Sequence, residues 1–340
     1  MRSTYLHQRF TECVLIIFLL AALALILWKL VGLLILIFGA VVGACVLQSC
    51  MAPLLSRGVP RWLSLLIVLV VLCGGLGFMS WGFGAQIAAE MESLTTMLPE
   101  AWEQLRERLE DSQLAPLIDN AVENAGSIMQ GGMSQVGMIV VSMGGSIINF
   151  FVLIVGMVYF AAQPDLYRRG LLLLAPVKSR SRLGEALDAS GKALRYWLGG
   201  QVVAMTVTGV LVGISMWLLG VPAPLGLGLV AGLLDFVPLV GPIVAAIPAL
   251  LLAYTVSPET ALFVLMAYVI IQQIEGNILQ PLVQQRAVSL PPALLLFALL
   301  ASSTLFGLPG VILAAPLAVV LFVMVNRLYV AHEDDDKKEP

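Results

Sequence analysis

The sequence predicts an all-α integral membrane protein with about eight membrane segments, and three observations carry that reading. Of 340 residues, 60% are apolar and only 11% charged, too few charges to cover a soluble chain of this length. The apolar residues come in runs near 20, the length a helix needs to cross a bilayer. Two of the runs, residues 225–253 and 293–321, are interrupted by Gly and Pro at corresponding places. Paired interruptions of this kind mark discontinuous membrane helices that build polar sites. Gly241-PIVAAIPALLL in the first run parallels Gly310-VILAAPLAVVL in the second, with one residue inserted.

Composition also excludes chemistry. Both histidines, His7 and His332, lie at the termini, which removes His acid–base work and His metal ligation from the membrane interior. Asp235 is the only Asp in the apolar core and no Walker motif is present, so neither a membrane hydrolase nor an ATP-driven machine is expected. Cys13, Cys45, Cys50 and Cys73 all fall in apolar runs with no CxxC spacing, where Cys behaves as a small hydrophobe. No enzyme activity, cofactor, metal or nucleic-acid partner is therefore expected.

Residues 1–85 read as an N-terminal three-helix membrane region. Arg2 and Arg9 precede an apolar run like that of a signal peptide, but hydrophobicity resumes directly after Lys29. A cleaved signal would give way to polar sequence, so residues 13–28 are an uncleaved first span and 30–50 the second. A turn with Arg57 and Arg61 leads into a third span at 62–85, thinned by Gly74, Gly75, Gly77, Gly82 and Gly84, residues that let neighbouring helices approach.

Residues 86–135 read as an extracytoplasmic cap of amphipathic helices. Ile87, Met91, Leu94 and Leu98 keep helical spacing, and Trp102, Leu105 and Leu109 resume it beyond Pro99. Nine acids face only Arg106 and Arg108 there. A fourth span follows at 136–162. Residues 163–199 are basic, with a stripe of Leu183, Leu187, Leu194 and Trp197 that suits a helix lying at the membrane surface. The fifth span, 200–220, opens a C-terminal region at 200–330, and a charged tail at 331–340 closes the chain. The positive-inside rule puts both termini and the 163–199 segment in the cytoplasm, and the acidic cap outside.

The two interrupted runs leave a fork. Each has 29 residues, about 43 Å as one helix, against a hydrocarbon core of about 30 Å. Either both cross, giving eight spans, or both are re-entrant hairpins entering from opposite faces as an inverted pair. In the second case Arg286 is cytoplasmic.

Between the runs lies Gln272-Gln273-Ile274-Glu275-Gly276-Asn277. A charge at bilayer depth is a functional candidate by default, which singles out Glu275 and, in the first interruption, Asp235. On a continuous helix Gln273, Asn277, Gln280 and Gln284 share one face, and Pro281 kinks it, freeing the Asn277 carbonyl. Pro238, Pro242 and Pro248 free further carbonyls in the same way. Carboxylates, amides and free carbonyls suit a small polyhydroxylated solute, a hard cation or a proton. The breaks centre on Pro238, Gly241, Pro242, Pro248, Gly276, Pro281, Gly307, Pro309, Gly310 and Pro316. The competing reading of Glu275 is a structural carboxylate that pairs with Arg286. Ser302, Ser303 and Thr304 either line the second break or bond back to their own helix.

The segments Gly199-GQVVAMTVTGVLVGISMWLLGVP-Ala223, Gly232-LLDFVPLVGPIVAAIP-Ala249 and Gln272-QIEGNILQPLVQQRAVSLPP-Ala293 resemble the autoinducer-2 exporter family of bacterial membrane proteins. The Ser56-RGVPRW-Leu63 turn and Phe306-GLPGVILAAPLAV-Val320 are similar too. The resemblance implies a multi-span bacterial inner-membrane secondary carrier that exports a small polar solute such as autoinducer-2, coupled to protons or sodium. Sodium(lithium)/proton antiport, a passive channel and a structural oligomer are the alternatives. Packing surfaces on the third span and the 183–197 helix lead to the expectation of a homo-oligomer in the lipid bilayer.

Overall fold

The computed structural model describes residues 30–109, 143–281 and 290–330, and among these every regular element is helical. The first expected span, cap residues 110–135, Gln284, Arg286 and the tail lie outside the described residues. In chain order the helices are α1 (Leu30–Leu55), α2 (Arg61–Leu109), α3 (Met143–Ala162), α4 (Pro164–Leu174) and α5 (Arg180–Leu218). Then follow α6 (Pro224–Leu234), α7 (Val240–Val256), α8 (Pro258–Ile274) and α9 (Pro292–Val325). Helices α1, α5, α8 and α9 are long and apolar enough to cross a membrane, and α3 with α4 makes a fifth candidate if that bent pair is one span.

Two stretches expected as separate helices are continuous. Helix α2 runs 49 residues without a break, about 73 Å, so residues 62–85, expected as a third span, and residues 86–109, expected as the start of the cap, form one helix. Pro99 does not stop it: the exposed proline releases a carbonyl that solvent can satisfy, so the loss of one intrahelical bond is tolerated. Helix α5 likewise fuses the 183–197 stripe with the fifth span into 39 residues. The stripe packs inward: Leu194 and Leu198 are buried with Val42, Cys45 and Leu313. The helix that does turn aside is α4, bent 92° from α3, with Leu166, Leu171, Leu173 and Leu174 exposed.

Helices α5 and α6 pass backbone to backbone. A Cβ on Gly228 would stand 2.6 Å from the Gly209 carbonyl oxygen, and one on Gly232 would stand 2.7 Å from that of Met205. Glycines four apart on each helix, Gly209/Gly213 and Gly228/Gly232, make this crossing, the small-xxx-small device of membrane helices. Of the glycine stripe of α2, Gly74, Gly75 and Gly77 have nothing within 4 Å among the described residues.

Both interrupted runs fold back at their tips. In a straight helix, residues seven or eight apart are about 10–12 Å apart along the axis. Yet a Cβ on Gly241 would overlap the Leu234 carbonyl, and one on Gly310 would overlap that of Ser302. Each second arm starts behind a residue of positive φ, Leu239 (72°) and Gly307 (63°). Pro242 and Pro309 then sit in the first turn of the second arm, where a missing donor costs nothing. Pro248 and Pro316 lie inside continuous helix, so they are not the breaks that sequence alone suggested.

Candidate functional site

The site forms where α5, the tip of the first broken run and the end of α8 meet. Asp235 ends α6 and is fully buried, at 0% exposed. Among the described residues no hydrogen bond of good geometry closes on either carboxyl oxygen, but the buried Thr208 hydroxyl of α5 faces the carboxyl closely enough to act as a weak hydrogen-bond donor to it. About two turns earlier on α5, Gln201 Nε2 donates to the Asp235 backbone carbonyl at 2.6 Å. Trp197 closes this end by stacking edge-on against Phe236, ring centroids 6.0 Å apart.

Glu275, 8% exposed, is close enough to Asp235 for the two carboxyls to sense each other's charge. It stands at the start of a single π-helical turn, Glu275–Leu279. Pro281 has no N–H for the Asn277 carbonyl, and the strain is relieved one step earlier, with Gln280 N bonded to Glu275 O. Such bulges recur at functional sites. The extra residue in the turn splits the polar face expected on a regular helix. Gln272 Nε2 donates to Glu275 Oε2 at 2.9 Å, and Gln280 faces the same carboxylate. Gln273 and Asn277 instead bond to each other at 2.8 Å on an exposed face. Gly276 lies within the π turn with open space beside it.

Of the carbonyls expected to be free, that of Leu234 is taken: it accepts from Val237 N at 3.0 Å. Nearby, the Tyr268 hydroxyl of α8 donates to Ala245 O of α7 at 3.1 Å. Near the second break, Ser303 and Thr304 bond back to Leu300 O and Ala301 O, while Ser302 is buried. The two broken runs meet beside α5, where Phe236 of the first and Leu313 of the second pack on Leu194 and Leu198.

Asp235 and Glu275 are thus brought together with Gln272 and Gln280, and Gln273 and Asn277 stand apart. Gln201, Thr208 and Tyr268 belong to the site but were not singled out from sequence. The first two carried a usable signal: polar residues seven apart in an otherwise apolar span share a helical face. Chemically the cluster offers two carboxyls and a hydroxyl that are buried, and two amides, Gln272 and Gln280, whose side of the π turn is exposed. A bare carboxylate so placed is costly and is relieved by a proton or a small cation.

The chain matches the family described as AI-2E family transporter over residues 15–329. Among its relatives are the Bacillus subtilis (strain 168) proteins named "Putative transport protein" YrrI and YueF. YrrI is 29% identical over 79% of this chain and 79% of its own length. YueF is 26% identical over 81% and 79%. The AI-2 transport protein TqsA of Escherichia coli (strain K12) is 23% identical over 84% of this chain and 83% of its own.

Proposed function

This chain belongs to the AI-2E transporter family, and from that premise we propose that it is a secondary carrier for a small polar solute, with the Asp235–Glu275 pair as its coupling site. The observation that supports the reading is the fully buried Asp235 carboxyl, faced by the Thr208 hydroxyl and within electrostatic reach of Glu275. A carrier needs a group that changes charge as access alternates, and two neighbouring buried carboxyls do so readily because both cannot be ionised cheaply. Export of a solute such as autoinducer-2, driven by protons or sodium, is the form this takes. The broken runs act as re-entrant hairpins from opposite faces, the protein sits in the bacterial inner membrane with both termini cytoplasmic, and it works as a homo-oligomer.

A second reading, sodium(lithium)/proton antiport, draws on the Asp235–Thr208 corner. Its buried oxygens have the hard-donor character such cations take. One experiment addresses both readings. Flux of autoinducer-2 and of sodium is measured in proteoliposomes with and without an imposed proton gradient, for the parent, Glu275→Gln and Asp235→Asn. A carrier coupled at this pair loses gradient-driven flux in both variants, while Asn277→Ala, which lies off the pair, leaves the coupling intact. Wild-type rates with unchanged pH dependence in Glu275→Gln and Asp235→Asn would leave the pair structural and favour a passive pore.

A further inference from the structure

We infer that Glu90, on the outer arm of α2, is a positioning residue that sets where Asp235 stands by capping the far end of the helix that carries it. Helix α6 starts behind Ala223, a left-handed residue (φ 55°), and no N-cap side chain bonds to its first turn. The first N–H groups of any helix lack intrahelical acceptors, and Pro224 removes one of them. Gly226 N is satisfied from another helix: it donates to Glu90 Oε2 at 2.8 Å. The carboxylate also complements the positive end of the α6 dipole.

The rest of the outer arm supports this clamp. Leu94 and Ala101 are buried, and Met91, Leu98 and Trp102 pack on the same cluster as Val221, Ala223 and Leu252. A Cβ on Gly226 would lie 3.2 Å from Leu94 Cδ1, so the contact tolerates no thicker residue without a shift. From Gly226 to Asp235 is a short rigid rod of about 13.5 Å at 1.5 Å per residue. Glu90 holds its outer end and Gln201 its inner end. Releasing the outer end lets the rod slide or tilt along the glycine crossing with α5, and Asp235 moves with it. Glu90 touches neither Asp235 nor Glu275 in this scheme and acts only through α6. The inference rests on reading Asp235 as the working carboxyl.

The test measures shelter of the site rather than transport. Thr208→Cys is placed in a chain whose four native cysteines are replaced by Ala, and alkylation of position 208 by N-ethylmaleimide is timed by mass spectrometry on purified protein. Thr208 is 3% exposed, so the parent labels slowly. Glu90→Ala should label about tenfold faster, the factor that corresponds to a charge-assisted hydrogen bond of about 1.4 kcal/mol. Glu90→Gln keeps an acceptor oxygen and should bring the rate back towards the parent's. Labelling of Glu90→Ala at the parental rate overturns the proposal.

Should Glu90→Ala fail to fold, a Glu90→Cys/Gly226→Cys pair carries the test. The ideal Cβ at 226 lies 3.4 Å from Glu90 Cβ, near the spacing of a disulfide. With the bond closed, position 208 should stay protected, and after reduction it should label faster. A rate indifferent to the disulfide overturns the proposal. No solute or gradient enters the readout, so failure here is distinct from failure of the carrier reading.

Discussion

Gln201 of α5 holds the backbone carbonyl of Asp235 at 2.6 Å, and this single bond ties the tip of the first broken run to a helix that crosses the whole molecule. The carbonyl belongs to the residue that caps the end of α6, where the chain turns away and no N–H four residues on closes the ladder. Gln201→Ala should leave it unpaired in an apolar setting, at a cost of about 1–3 kcal/mol. The expected result is a lower unfolding midpoint in detergent, read by tryptophan fluorescence. An unchanged midpoint would mean that the tip is held by Trp197 and Phe236 alone.

The glycine crossing makes a sharper demand. At Gly228 an added methyl meets backbone, 2.6 Å from Gly209 O and 2.9 Å from Gly213 Cα, and backbone cannot rotate away. Gly228→Ala should therefore destabilise by about 1–3 kcal/mol, as overpacking does. Gly74→Ala, with nothing within 4 Å, should be neutral or slightly stabilising in the same thermal assay, because Ala is the better helix former. Equal effects at the two positions would argue against the crossing.

Leu239 offers a prediction of the opposite sign. Its φ of 72° and ψ of −47° lie near the strained γ-turn geometry that non-Gly residues rarely adopt. Half its side chain is exposed, at 46%, so little packing is lost on truncation. Leu239→Gly should relieve about 1 kcal/mol or more of backbone strain, offset in part by the entropy of a glycine in the unfolded chain. A midpoint equal to or above the parent's is expected, whereas Val240→Gly, inside helix α7, should lower it.

Orientation is tested by thiol labelling in intact cells. Thr95 is exposed on the C-terminal half of α2, and Ser181 is exposed at the start of α5. Thr95→Cys should react with an impermeant maleimide added outside, and Ser181→Cys should react only after the membrane is permeabilised. The reverse pattern would invert the assignment that the charge distribution dictates.

Much of the architecture was legible because the bilayer imposes a rule that composition reports directly. Sixty per cent apolar residues in runs of helical length leave only helices as a way to satisfy the backbone. The two breaks were equally visible, since Gly307 and the Pro238–Pro242 stretch are local backbone chemistry. Glu275 and Asp235 stood out because an isolated carboxyl in an apolar run has few uses. Sequence reasoning failed where a choice depends on contacts. Pro99 and Pro248 read as breakers, but solvent or neighbouring packing lets their helices run on. The single face expected for Gln273, Asn277 and Gln280 assumed 3.6 residues per turn. The π turn at Glu275–Leu279 adds a residue and swings Gln280 to the carboxylate. The meeting of Asp235 with Gln201, Thr208 and Glu275 is tertiary in the strict sense. It depends on α6 lying against α5 through glycines 209 and 228, on consecutive helices, whose lack of side chains has meaning only once the two helices touch.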